Sequence, residues 1–103
     1  MILVKYTLEK MFYVYVLKSE KDQNLYIGFT KDLRQRIEYH NLGLNKSTAC
    51  RRPLKLIYYE CYLSEKDARR REKFLKSGRG HEILYKQITE CLKSIHGGVS
   101  STG

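Results

Sequence analysis

No stretch of this chain approaches the roughly eighteen consecutive apolar residues of a membrane-spanning helix, which excludes a transmembrane segment of that kind. The opening decapeptide MILVKYTLEK has four apolar residues before Lys5 and no small-residue cleavage site, so it is not expected to be a signal peptide. Cysteine is scarce: Cys50, Cys61 and Cys91 are odd in number, widely spaced and contain no CxxC pair. That excludes a disulfide framework and a zinc site, and it points to small, partly buried hydrophobes in a reducing, cytoplasmic compartment. Proline occurs once, as Pro53, at the end of a polar loop. Acidic residues are few beside basic ones, 11 against 20, leaving a net charge of +9. Such an excess favours a polyanionic partner through counterion release, and no long basic amphipathic helix suggests that a membrane surface is that partner.

What is present suffices for one domain with a modest core: 103 residues, 42% hydrophobic. FYVYVLKS and LYIGF are rich in β-formers and flank the polar turn EKDQN. TKDLRQRIEYHNLG then reads as a helix, with Thr30 as N-cap and Gly43 just past its end. Residues 44–53 (LNKSTACRRP) form a basic loop. LKLIYYECYL follows as a strand long enough to be the central one. Ser64 is an N-cap candidate for a helix ending at Ser77-Gly78, where the glycine reads as a C-terminal signal. HEILYKQITECLKSI, residues 81–95, has helical apolar spacing. The order is ββαβαα, an α+β fold with a small three-stranded antiparallel sheet and helices packed on it. Residues 1–10 are expected to be an N-terminal extension with a candidate edge strand, 11–95 the folded domain, and 96–103 a disordered tail.

The informative constellation is Tyr13-Val14-Tyr15, then Tyr26-Ile27-Gly28, then Arg36 and His40 on the helix, then Glu72 within ARRREKFLK. At 100° per residue, Leu33, Arg36, Ile37 and His40 share an arc of about 100°, whereas Arg34 lies roughly 160° from Arg36. This ordered set resembles the GIY-YIG nuclease superfamily, in particular its small stand-alone bacterial members. It is also similar to the nuclease domain of the excision-repair incision subunit. The match runs from about Phe12 to about Tyr85.

The resemblance implies a divalent-metal-dependent endonuclease that hydrolyses DNA phosphodiester bonds, with a place in DNA repair. It also implies roles for individual residues. Tyr26 would activate or order the attacking water, and Tyr15 would hydrogen-bond the scissile phosphate or support Tyr26. Arg36 suits phosphate because its planar fork engages two oxygens and never loses its charge. His40 would accept a proton or bond a phosphate. Glu72, as sole carboxylate, would hold one Mg2+ or Mn2+ completed by water and substrate phosphate. Phe29 stands where some relatives have a functional Lys, making Lys46 in the loop the nearest substitute. The late Asn of several relatives is absent.

Lys46, Arg51, Arg52, Lys55, Arg69, Arg70, Arg71, Lys73, Lys76 and Arg79 are the expected nucleic-acid face. Most would meet phosphates, so structure is expected to direct cleavage more than sequence. Branched or damaged DNA is the expected substrate form, and a partner protein would have to supply any further specificity. Two other readings fit the same residues: a non-catalytic nucleic-acid-binding module of this fold, and a protein-interaction domain.

Overall fold

The computed structural model describes residues 10–97. Within them run β1 (Phe12–Ser19), β2 (Leu25–Thr30), α1 (Leu33–Asn41), a 3-10 turn (Ala49–Arg51), β3 (Leu54–Tyr62), α2 (Glu65–Lys76), α3 (Gly78–Gln87) and α4 (Thr89–Leu92). The expected edge strand in residues 1–10 and the tail at 96–103 lie outside the described residues, apart from Lys10 and a π-helical turn at Lys93–Gly97.

The class is α+β, and the sheet is three-stranded and antiparallel, in the order β2-β1-β3. β1 is therefore central, where β3 had been expected. The reason is burial: six successive residues of β1, Val14 to Ser19, are buried, whereas β3 alternates between exposed and covered positions, as an edge strand does. The register of β1 against β3 shifts between Val16, opposite Tyr58, and Leu17, opposite Leu56.

Two compact units divide the chain, the first running to Glu72 and the second beginning at Lys73. The core of the first gathers Tyr15, Leu17 and Leu54, with Tyr26, Leu33, Ile37 and Leu56 against them. The odd-numbered residues of β1 thus face α1. The side-chain amide of Asn41 pins the end of that helix to β3, donating to the carbonyl of Leu54 and accepting from its N–H, both at 2.9 Å.

Asp32, not Thr30, caps α1. Its carboxylate accepts from the N–H of Gln35 at 3.1 Å. Thr30 is still part of β2, paired opposite Tyr13, and its hydroxyl serves the Asp32 backbone instead. Gly43 does lie just past the helix, with φ +78, where glycine avoids the cost of a left-handed conformation.

The loop after α1 is fastened to the β1–β2 hairpin. Arg51 holds the Asp22 carboxylate with contacts at 2.6 and 3.2 Å and donates to the Asn24 carbonyl. The buried Ser19 hydroxyl donates to the Arg51 carbonyl at 2.6 Å. This Arg51 contact holds the Asp22 carboxyl down at about 2.

α2 begins as expected, the Ser64 hydroxyl accepting from the N–H of Asp67. In the first unit, Arg71 binds both oxygens of Glu60 on β3, which also accepts from the phenols of Tyr58 and Tyr62. Burial alone would raise the Glu60 pKa; the hydrogen bonds from Arg71, Tyr58 and Tyr62 outweigh it and lower it.

In the second unit, α2 stops at Lys76 for a reason other than a terminal glycine. Ser77 caps α3, accepting from the N–H of Gly80, and Gly78 is already helical. A Cβ at Gly80 would lie 1.8 Å from the Phe74 carbonyl oxygen, so only glycine permits the turn. Leu75, Leu84 and Ile88 form this unit's buried set. The helix expected over 81–95 breaks at Ile88, where the Thr89 hydroxyl donates to the carbonyls of Tyr85 and Lys86.

Candidate active site

The antiparallel register fixes the first element of the site. Tyr15 lies opposite Gly28, and a Cβ at position 28 would be 2.4 Å from both Cζ and Oη of Tyr15. Glycine is required there because the phenol occupies the space a side chain would fill. Tyr26, two residues earlier on β2, brings its ring to a centroid distance of 6.4 Å from that of Tyr15.

α1 supplies the cation. Arg36 is half-buried, its guanidinium carbon 4.8 Å from the centroid of the Tyr39 ring, a cation–π contact that holds the side chain. Arg34 is exposed, as the helical wheel requires. From α2 come Glu72 and Arg69. Arg69 bonds Glu65 at 3.1 Å and lays its guanidinium 3.9 Å from the centroid of Phe29.

These groups line one open cleft of about 510 Å³: Tyr15, Tyr26, Arg36, Arg69 and Glu72, together with Thr30 at the end of β2 and Lys31 and Asp32 of the β2–α1 connection. Four of the five expected core groups are thus brought together.

His40 is not. It is 0% exposed, behind Tyr15 and away from the cleft lining, with Nε2 2.8 Å from the Tyr15 hydroxyl and Nδ1 2.8 Å from the Thr48 hydroxyl. Its expected contact with phosphate is therefore corrected to contact with Tyr15. Burial lowers its pKa, reinforced by the Arg36 charge, so the ring is neutral near pH 7. Burial likewise raises the Tyr15 pKa, with Tyr26 adding and Arg36 opposing, so that phenol stays protonated and is a donor.

Lys46, the expected substitute lysine, is exposed on its loop and does not line the cleft; Lys31 does. The available signal was position, since Lys31 directly follows β2. Asp32 and Gln35 also line the cleft, and an N-cap placed at Thr30 gives no signal for either. Among the expected nucleic-acid face, Arg69 belongs to the cleft itself. Arg51 is tied to Asp22, Arg70 to Asp67 at 3.0 Å, and Arg71 to Glu60. Arg52 donates to the Ala49 carbonyl, while Lys46, Lys55, Lys73 and Lys76 are exposed. The cysteines depart from expectation too: Cys50 and Cys61 are exposed and only Cys91 is half-buried.

Among the described residues no cluster of three or more His, Cys, Asp or Glu side chains could hold a metal by itself. The donor set still fits a Mg2+-like ion, which takes one or two carboxylates and leaves its other positions to water and phosphate oxygens. Glu72 and Asp32 both line the cleft, and the Asp32 carboxylate already accepts from the N–H of Gln35. Nor, among the described residues, is any helix long and apolar enough to cross a membrane.

The GIY-YIG catalytic domain model matches residues 11–82. A UPF0213 protein of Clostridium perfringens is 45% identical over 67 residues, covering 64% of this chain and 71% of that one. A UPF0213 protein of Pediococcus acidilactici is 45% identical over 79 residues, 74% of this chain and 80% of its own. The solution NMR structure of the UPF0213 protein BH0048 from Bacillus halodurans is 34% identical, with a TM-score of 0.49, covering 75% of this chain and 84% of that one.

Proposed function

Starting from a chain that belongs to the GIY-YIG catalytic domain family, we propose that it is a divalent-metal-dependent endonuclease acting on DNA phosphodiester bonds in the cytoplasm. We take residues 11–95 as the nuclease domain. The observation that carries this reading is one cleft lined by two arginines, Arg36 and Arg69, two phenols, Tyr15 and Tyr26, and the carboxylate of Glu72, with Asp32, the cap of α1, as its other acidic residue.

A phosphodiester entering the cleft meets Arg36, whose fork holds two of its oxygens and stabilises the charge that grows on them during attack. Tyr15, kept protonated, donates its O–H to a phosphate oxygen. Tyr26 is more open to solvent than Tyr15 and orients the attacking water. Glu72 is the residue that would hold Mg2+ or Mn2+, which supplies Lewis-acid stabilisation when bound. The Phe29–Arg69 contact holds a second cation in the cleft, to position the strand.

Because the surrounding lysines and arginines are suited to phosphates and few can read base edges, DNA structure directs cleavage more than sequence does. A branched or damaged DNA, in a repair setting, is the substrate class this favours. Incubation with duplex, single-stranded and branched DNA, with and without Mg2+ or Mn2+, tests the reading. Metal-dependent cuts are expected. Salt-sensitive binding without any cut would make the chain a nucleic-acid-binding module instead.

A further inference from the structure

Thr48 lies in the basic loop, remote in sequence from every residue of the cleft, yet it is 0% exposed and its hydroxyl is 2.8 Å from Nδ1 of His40. Nε2 of the same ring is 2.8 Å from the hydroxyl of Tyr15, which is 2% exposed. The three side chains make a single file from loop to cleft, and only Tyr15 reaches the cleft lining.

A neutral imidazole carries one proton, so the file can run in two directions. In the first, Tyr15 donates to Nε2 and Nδ1–H donates to Thr48. The Thr48 O–H proton would then need an acceptor of its own, and among the described residues His40 is the only group hydrogen-bonded to that hydroxyl. A buried O–H without an acceptor is costly. In the second direction, Thr48 donates to Nδ1 and Nε2–H donates to the Tyr15 oxygen. The Tyr15 proton is then turned into the open cleft, where water or an anionic oxygen accepts it, whereas the Thr48 hydroxyl lines no cleft and has only His40.

We infer that Thr48 is a positioning residue: its hydroxyl fixes the His40 tautomer with the proton on Nε2 and thereby makes Tyr15 a donor aimed at an anionic oxygen in the cleft. The chain of donors also polarises the phenol, strengthening the bond it makes there. The assignment of that oxygen to DNA phosphate rests on the proposed function; the direction of the hydrogen bonds does not.

Nitrogen-15 NMR of the His40 ring in the DNA-free protein near pH 7 reads the tautomer directly. The proton is expected on Nε2; finding it on Nδ1 overturns the inference. In Thr48→Val, of equal shape, the ring is expected to lose its single tautomer. Cleavage is expected to fall about tenfold at unchanged DNA affinity, as for a lost oriented hydrogen bond. Thr48→Ser, which keeps the hydroxyl, should restore both. A folded Thr48→Val that cuts DNA at the wild-type rate overturns the positioning role. Where Thr48→Val fails to fold, the wild-type ring still decides the direction. A wild type with Nε2–H that binds but does not cut DNA overturns the nuclease reading while supporting the hydrogen-bond assignment.

Discussion

Arg36 and Arg34 stand two residues apart on α1 and meet different surroundings. Arg36 lines the cleft against Tyr39, and Arg34 faces solvent. Arg36→Ala is expected to lower the cleavage rate by about 10²-fold or more, the scale for one preorganised charge-stabilising donor. Arg34→Ala should leave the rate nearly unchanged, and equal losses measured on one substrate would refute the assignment. Glu72→Ala separates metal binding from DNA binding. It should abolish Mg2+-dependent cleavage while DNA affinity persists or rises, since a negative charge leaves a basic helix. Its melting temperature should move little, because a half-exposed position contributes on the order of 1 kcal/mol or less. Cleavage, affinity and melting measured on that one variant decide between a ligand and a surface ion-pair partner. At this scale the two tyrosines, Gly28, Arg36 and Glu72 were legible through their resemblance to the family's ordered motifs, and the helix period singled out Arg36 over Arg34. The setting of His40 was not. Its partners Tyr15 and Thr48 lie 25 and 8 residues away, and burial is a property of the assembled core.

Among the elements, α2 matters most, because it carries Glu72 and is moored by the adjacent Arg71 to Glu60 on β3. Solvent still reaches 25% and 15% of those two side chains. Glu60→Gln should therefore cost about 1–2 kcal/mol, less than the roughly 3–5 kcal/mol of a fully buried pair broken on one side. The folded-state pKa of Glu60 is depressed, so its contribution is complete above the unfolded carboxyl value of about 4.3 and is lost as pH falls through the lower folded value. Urea unfolding at pH 7 and pH 3 checks this: the gap between wild type and Glu60→Gln should be clear at pH 7 and narrow at pH 3. A gap that widens in acid would contradict it. Element types and order were readable from β-rich runs and apolar spacing. The placement of β3 at an edge was not, because length does not reveal which strand is covered on both faces. The ends also moved, where a nearby hydroxyl or carboxylate competed for the cap: Asp32 over Thr30, and Ser77 over a glycine stop.

For the molecule as a whole, the net charge of +9 was readable at once, but how much of it is available was not. Arg51, Arg70 and Arg71 are engaged with acidic partners. If about four to six phosphates are neutralised, log K should fall against log salt with a slope of roughly −4 to −5. A slope near zero, measured by titration at several salt concentrations, would remove nucleic acid as the partner.

The fastening of the loop at 44–53 to the hairpin bears on how the chain meets a protease. Its composition, polar and basic with Lys46, Arg51 and Arg52, marks it as the place where trypsin should cut first. Yet Arg51 is occupied by Asp22 and Asn24, and its carbonyl accepts from Ser19. The backbone N–H groups of Thr48 and Ala49 both fold back on the Asn45 carbonyl. A peptide bond must peel into an extended shape to enter a protease cleft, and here that means opening the hairpin contacts as well. Limited trypsin digestion should therefore spare Arg51 in the native protein, and Asp22→Ala should expose it to early cutting. A segment that looks like a tether is built as a splint.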